Sequence, residues 1–390
     1  MKYLYKTKQA FLNFFGLRNN YILKRKYYIS ENIYKKEICK IFNKLWIFVG
    51  LTTELEKNDW VVKKVGQLEI IITKDKKTDE YFALENTCPH KNIRFFSEDK
   101  GMGALVCRYH AWSFNKSGTL NKIPFFDKSY NLNQCELKSA CMKSFQLEKI
   151  GIFLFVKIKK SKFKITDQFQ HDVIKSLKLI SNYIQPQHEI FKETRSFNWK
   201  LNFENLRDSL HPAVLHNKTL AKSMDFTDQY KTHKRLSDHI SPIKLDEASS
   251  FSVDGYKKQN DKPGHLDEII KPLFKDGYYN WLLFPNFHMS SPDGGRSFYI
   301  EQLNPIGPDK VEVTATTFIS RPIDKNDIFA DEICLHRIKS SRPVMEEDYG
   351  ACEDIQKALA YTNYEQNIGA YEHYNFRIGR IYKKLLRQFF

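Results

Sequence analysis

Several features are scarce or missing in this chain of 390 residues. No run of eighteen apolar residues occurs, and a helix needs about twenty to cross a bilayer, so membrane insertion is not expected. The first residues, MKYLYKTKQAFLNFF, carry apolar pieces too short and too broken by lysine for a signal-peptide core, and no small-residue cleavage site follows. No G-x-G-x-x-G follows a strand-like run, so a built-in flavin or nicotinamide site of that kind is not expected. H-E-x-x-H is absent, which removes the common zinc-protease arrangement. There is no internal repeat and no low-complexity tract. The cysteines number seven, an odd count, and their scattered spacing does not read as a disulfide framework. A reducing cytoplasm is therefore expected, with some of them serving as metal ligands.

The chain does have enough apolar and aromatic side chains, 42% and 14%, to build sizeable cores, and its length suits two domains. Net charge is +16. Residues 1–50 hold eleven Lys or Arg against two Asp or Glu, and Lys157, Lys159, Lys160, Lys162 and Lys164 form a second basic run. Such charge suits an acidic partner, a membrane surface or nucleic acid. No nucleic-acid motif accompanies it, so it reads as solvated lysine, with no nucleic-acid partner.

Residues 1–44 read as a basic helical arm, with helical spacing of apolar positions over Glu31 to Phe42. Short β-rich runs follow: Leu45 to Val49, Asp59 to Val62, Leu68 to Thr73, Tyr81 to Leu84 and Gly151 to Val156. Broken by Gly, Asn, Asp and Lys, they predict a small antiparallel β domain over 45–157. The lysine-rich stretch to residue 164 reads as a linker. A second domain over 165–390 shows helical patterns at His171 to Tyr183, Trp199 to Leu220, Arg342 to Ala360 and Phe376 to Phe390. Strand patterns at Tyr278 to Phe284, Ser297 to Leu303 and Val311 to Ile319 make it α+β with an antiparallel sheet.

Two constellations carry chemistry. Cys88-Pro89-His90 is followed, after a gap of 16 residues, by Cys107-Arg108-Tyr109-His110. Each half follows a strand-like run, so two loops each present a thiolate and an imidazole. Facing one another they can hold two irons and two sulfides, with both thiolates on one iron and both imidazoles on the other, the Rieske arrangement. A Cys2His2 zinc site uses the same donors, but its spacing pairs like with like rather than alternating. The second constellation lies in Asn198 to His216, a stretch too rich in Asn, Asp, Glu and His for an ordinary core helix. His211 and His216 are five apart, which on a regular helix leaves them about 140° out of register. Pro212 between them distorts a helix and can bring both imidazoles to one metal. Asp208 stands three residues before His211. Two histidines and a carboxylate with open positions form the facial triad of non-haem Fe(II) oxygenases.

The segments CPHKN and CRYHAWSFNKSGTL resemble the Rieske segment of ring-hydroxylating oxygenases, with Trp112 and Gly118 fitting its usual continuation. Lys91 stands where Arg is commoner, and Ala111 where Gly is commoner. The stretch from Glu204 to His216 resembles the same family's E/D-N-x-x-D-x-x-H-x4-H motif. The resemblance implies an N-terminal Rieske [2Fe–2S] domain and a catalytic domain of helix-grip type. It implies a [2Fe–2S] cluster on Cys88, His90, Cys107 and His110, and a mononuclear Fe(II) on His211 and His216. It makes Asp208 a hydrogen-bonded bridge between an iron-ligating histidine and a Rieske histidine of a neighbouring subunit. The third iron ligand lies near the C-terminal end; Asp348 is the choice, with Glu347 and Glu353 as alternatives.

The resemblance implies an oxygenase that takes electrons from a separate reductase or ferredoxin and uses O2 to hydroxylate a small organic substrate, with an aromatic ring as the first expectation. Oxidation of a quaternary amine is an alternative, and a non-catalytic Rieske electron carrier is the rival from another class. A homotrimer, with or without β subunits, is expected. Leu206, Leu210, Leu215, Phe284, Phe287 and Met289 are candidates for lining the substrate pocket, or for ordinary core.

Overall fold

The computed structural model describes residues 23–126, 130–169, 171–184, 189–206, 208, 211–220, 224–225, 250–254, 257–258, 270–274, 277–320, 330–362 and 382. The chain divides into two compact units, Phe42–Ile165 and a larger one formed by Met1–Ile41 with Thr166–Phe390. Among the described residues no helix is long and apolar enough to cross a membrane. Of the C-terminal helix expected at 376–390, and of the arm before residue 23, only Tyr382 lies within them.

The first described elements of the larger unit are two short helices, α1 (Lys26–Ile29) and α2 (Glu31–Glu37), and α2 runs on into a π-helical turn, Ile38–Phe42. One stripe of this segment is apolar, and Tyr28 and Tyr34 are buried. A charged side chain, Glu37, is buried with them.

The unit Phe42–Ile165 is built on strands β1 (Ile47–Leu51), β2 (Trp60–Val65), β3 (Leu68–Asp75), β4 (Glu80–Glu85), β5 (Lys100–Gly101), β6 (Leu105–Val106), β7 (Ser113–Phe114), β8 (Leu120–Lys122), β9 (Ser144–Ile150) and β10 (Phe153–Lys157), with one short helix, α3 (Gln134–Ser139). An antiparallel sheet runs β1-β10-β9-β4-β3-β2-β5, and β6-β7-β8 form a second, smaller one. Ile70, Ile71 and Ile72 are consecutive and all fully buried, so β3 is covered on both faces and shows no polar alternation. The linker expected at 157–164 starts differently. Lys157 is fully buried at the end of β10, its ammonium donating to the backbone carbonyls of Ser161 (3.0 Å) and Phe163 and lying over the Trp46 ring. It is a tether rather than a solvated charge, because two carbonyl acceptors and a ring face replace its water. Lys159, Lys160, Lys162 and Lys164 are exposed.

The remainder of the larger unit contributes α4 (His171–Ser181), β11 (Glu189–Arg195), α5 (Trp199–Asn205), α6 (Pro212–Leu215), a minor pair β12 (Met224–Asp225) and β14 (Lys257–Lys258), then β13 (Ser250–Asp254), β15 (Tyr278–Leu283), β16 (Phe287–Ser291), β17 (Ser297–Pro305), β18 (Val311–Ile319) and α7 (Ala330–Tyr361). The main sheet is antiparallel in the order β11-β18-β17-β16-β15-β13, and α7 packs on β18, β11 and α5. Two sequence expectations need correction. The stretch Trp199 to Leu220 is not one helix: α5 stops at Asn205, and Pro212 opens a new turn at its first position, where a missing N–H costs nothing. Helix α7 starts at Ala330, not at Arg342, and continues through Pro343. The proline removes one helical bond, while Arg342 is paired with Glu193 on β11 and with Glu346 one turn on, which ties this part of the helix to the sheet.

Candidate metal centres

Cys88-Pro89-His90 leaves β4, and Cys107 to His110 join β6 to β7. The two loops are copies of one backbone device. In the first, the N–H of Cys88 donates to Ile93 O and the N–H of Asn92 donates to Cys88 O, both at 2.9 Å. In the second, the N–H of Cys107 donates to Trp112 O (2.8 Å) and the N–H of Ala111 donates to Cys107 O (2.9 Å). Each turn closes through a residue with positive φ, Asn92 at 55° and Ala111 at 56°. Asparagine tolerates that conformation and alanine resists it, which is why the position of Ala111 favours glycine. Ala111→Gly should therefore stabilise the unit by about 1 kcal/mol, read as a raised urea midpoint of the holoprotein. No change would mean that the turn relaxes around the methyl group.

The loops bring the four side chains together. Cys88 and Cys107 are buried in one cluster with Trp112, Phe95 and Phe114. The His90 and His110 rings stand 4.5 Å apart, centre to centre. Burial, with the Cys107 thiol beside it, pushes the Cys88 thiol up to about 11. Burial and the neighbouring His110 hold His90 below the ordinary histidine range. Neither thiol is in a disulfide. The Nδ1 atoms of both histidines are buried with no hydrogen-bond partner among the described residues. Unpaired buried nitrogens of this kind are costly unless something binds them. Two buried thiols and two buried imidazole nitrogens on a pair of neighbouring loops are the donor set of a Rieske cluster.

In the larger unit, His211 precedes α6 and His216 follows it, so a single helical turn begun by Pro212 separates the pair. Their rings lie 5.2 Å apart. The Nε2 atoms of both face one oxygen of Asp348 on α7, at 3.4 Å from His211 and 3.2 Å from His216. One ligand atom from each of the three residues lies within 4.8 Å of the others. Burial works against the charge on Asp348, yet the two imidazoles hold its carboxyl far below the usual range. Burial likewise opposes the His211 cation, but Asp208 and Asp348 raise it to about 9.

Around the triad, the outer nitrogen of His216 is also held. His216 Nδ1 is 2.8 Å from Glu347 Oε2, which also accepts from Thr219 Oγ1 (2.6 Å). Asn205, the last residue of α5, donates from Nδ2 to Asp348 Oδ1 at 2.8 Å. His211 Nδ1 lies 3.5 Å from Asp208 Oδ2, an ion-pair separation rather than a hydrogen bond. Of the carboxylates offered by sequence, Asp348 meets both histidines; Glu347 instead orients His216, and Glu353 reaches the backbone N–H of Ser196. Sequence reasoning did not single out Thr219 or the role of Asn205. The latter was legible as the Asn of the motif, next to Glu204, a carboxyl that burial raises to about 7 and that accepts from Tyr28 Oη.

Residues 176–383 match the family model described as the ring hydroxylating alpha subunit (catalytic domain). The chain belongs to that family. Residues 45–149 match the Rieske [2Fe-2S] domain. Among curated relatives, the chloroplastic choline monooxygenase of Beta vulgaris is 23% identical over 338 residues, which span 85% of this chain and 69% of the relative. The carnitine monooxygenase oxygenase subunit of Acinetobacter baumannii is 28% identical over 274 residues, 65% of each chain. The toluate 1,2-dioxygenase alpha subunit of Pseudomonas putida is 23% identical over 332 residues, 75% of this chain and 69% of the relative. Several matches span less of the relative, down to 47% of the large oxygenase component of salicylate 5-hydroxylase from Ralstonia. Among solved structures, a quaternary ammonium Rieske monooxygenase in complex with L-carnitine superposes with TM-score 0.74 at 18% identity, covering 94% of this chain and 96% of that one. Naphthalene 1,2-dioxygenase from Rhodococcus superposes with TM-score 0.73 at 15% identity, covering 99% and 98%. These two show the fold.

The cofactors of this Rieske oxygenase chain are a [2Fe–2S] cluster and a mononuclear iron, and both donor sets fit them. The expected apolar pocket fits less well. His288 on β16 is 3.1 Å from Glu301 on β17, and Glu301 accepts from Asn202 of α5 and Tyr349 of α7. That sheet face is therefore the one toward α5 and α7. Side chains alternate along a strand, so Phe287 and Met289 point to the opposite face. Phe284 packs on Trp199 and Phe203 as core. Leu206 and Leu215 are half-buried, and Leu210 lies outside the described residues.

Proposed function

We propose that the chain is the oxygenase component of a system that hydroxylates a small organic substrate with O2, with electrons from a separate reductase or ferredoxin. The convergence of His211, His216 and Asp348 carries this reading, because a pure electron carrier has no use for a second, three-ligand metal site. Cys88, Cys107, His90 and His110 hold the [2Fe–2S] group through two thiolates and two Nδ1 atoms. His211 Nε2, His216 Nε2 and a carboxylate oxygen of Asp348 hold the mononuclear iron. When bound, the two groups supply one-electron storage and O2 activation. Glu347 fixes the outer nitrogen of His216, Asp208 places a carboxylate beside that of His211, and Asn205 orients the Asp348 carboxylate.

Asp208 stands beside His211 and is a quarter exposed, the place at which a bridge from this iron site to a cluster histidine of a neighbouring copy would start. That bridge needs more than one copy, and the homotrimer expected from the sequence resemblance is checked by sedimentation. Asp208→Asn should keep both metals and lose about 10- to 100-fold in substrate-dependent O2 uptake, as outer partners of metal ligands do. Full activity in that variant would remove Asp208 from the reaction.

The side of the sheet toward α5 and α7 bears on the substrate. It carries Asn280, His288, Ser290, Tyr299 and Glu301, all buried apart from the half-buried Tyr299. His288 Nε2, Asn202 Oδ1 and Asn280 Oδ1 are buried without a partner among the described residues. Such a wall favours a substrate bearing a charged or hydrogen-bonding group over a bare hydrocarbon ring. Quaternary amines, as in the choline and carnitine relatives, and aromatic acids, as in the toluate relative, both meet that condition. O2 uptake with reconstituted reductase across choline, carnitine, toluate and naphthalene separates the classes. Preference for naphthalene would overturn the polar reading.

A further inference from the structure

Within the unit Phe42–Ile165, three buried side-chain polar atoms lack a hydrogen-bond partner among the described residues: His90 Nδ1, His110 Nδ1 and Trp112 Nε1. The first two are the nitrogens assigned to iron. The third is a donor, and Trp112 is only 4% exposed. An indole N–H in a core nearly always finds an acceptor, and leaving one unmade costs about 1–3 kcal/mol. Neither cysteine sulfur accepts from it, although both lie in the same buried cluster.

The ring is not free to turn away. Trp112 lies parallel on His90, 4.5 Å between centres with planes 2° apart. Tyr130 stands edge-on to both rings at 5.6 Å. The Trp112 carbonyl accepts from Cys107 N–H, so the loop that presents two cluster ligands also fixes the indole. His110, on the other side, has the exposed Tyr109 ring at 3.9 Å. One histidine is thus clamped by a buried indole and the other is covered by an exposed phenol.

We propose that the indole Nε1–H of Trp112 donates a hydrogen bond to a sulfur of the [2Fe–2S] group and so raises its reduction potential. Reduction adds negative charge to the group, and a donor aimed at its sulfur stabilises the reduced form more than the oxidised one. Trp112 is then a tuning residue that touches the cofactor, beyond its role as a packing neighbour of His90. The inference rests on the assignment of Cys88, His90, Cys107 and His110 as the cluster ligands.

Trp112→Phe separates the two roles, since phenylalanine keeps an aromatic face on His90 and removes the N–H. In the full-length holoprotein, spectroelectrochemical titration should show the reduced-to-oxidised ratio at fixed potential falling about tenfold, a drop of about 59 mV for a one-electron couple. The visible and EPR spectra should stay those of a Rieske cluster. A ratio unchanged within about twofold overturns the proposal and leaves the ligand assignment standing; a wild-type chain with no Rieske EPR signal overturns the assignment itself. If Trp112→Phe does not fold, wild-type protein labelled with ¹⁵N in the indole decides the matter. Pulsed EPR of the reduced cluster should show an indole ¹⁵N coupling and an exchangeable proton, and their absence overturns the hydrogen bond.

Discussion

Asp348→Ala is expected to reduce iron from three atoms per chain to two and to abolish substrate-dependent O2 uptake, with the cluster's visible spectrum unchanged. The carboxylate removed is the one that both Nε2 atoms face, at 3.4 and 3.2 Å. Two imidazoles alone make a weak site for Fe(II), which prefers oxygen donors beside nitrogen. The cluster ligands lie in the other compact unit, so its spectrum reports whether the chain has folded. Iron analysis with visible spectroscopy checks the result. Three irons in the variant would transfer the ligand role to Glu347, which stands 2.8 Å from His216 Nδ1.

Glu37→Ala should destabilise the larger unit by about 3–5 kcal/mol, the usual cost of stranding a buried charge. Glu37 Oε1 is 2.6 Å from Lys200 Nζ, and both side chains are essentially inaccessible. Glu37 also accepts from Trp199 Nε1 (3.0 Å) and from the Tyr382 hydroxyl. Without it Lys200 keeps, among the described residues, the ring faces of Tyr28, Trp199 and Tyr382 at 5.2–5.5 Å and the charge of Glu204. Burial already pulls the Lys200 ammonium below the ordinary lysine range, with Glu37 opposing that loss. Urea unfolding followed by tryptophan fluorescence measures the cost, while the visible absorbance of the cluster follows the other unit separately. The double variant Glu37→Leu with Lys200→Met should recover most of the stability, because replacing both partners leaves no stranded charge. A loss under about 1 kcal/mol in the single variant would show that solvent reaches Lys200.

The expected arm was drawn as basic, and its most consequential residue is an acid. Nothing in the pattern ENIYKKEICKIF marks Glu37 as inward-facing, since a glutamate on an amphipathic helix is normally solvated. Its partner is more than 160 residues away, and local patterning carries no information about such pairs. Lys157 was misjudged for a different reason: its acceptors are carbonyls of the turn that follows, only four and six residues on, and a lysine run gives no sign of how that turn folds back. The start of α7 was hidden by Pro343, a breaker by local rule that tertiary packing overrides.

The cluster ligands and the two histidines of the iron site were legible because their chemistry is local. Each loop carries its own thiolate and imidazole within four residues, and His211 and His216 flank a single turn. The sequence by itself determined which donors are present and which metals suit them. Only the tertiary structure decided which carboxylate completes the triad, because Glu346, Glu347, Asp348, Glu353 and Asp354 are chemically alike and α7 turns only one of them to face both imidazoles. It also turned Phe287 and Met289 away from the polar side of the sheet, and left the Trp112 N–H buried beside the cluster ligands. Strand pairing and helix packing set these directions, and both join residues far apart in the chain.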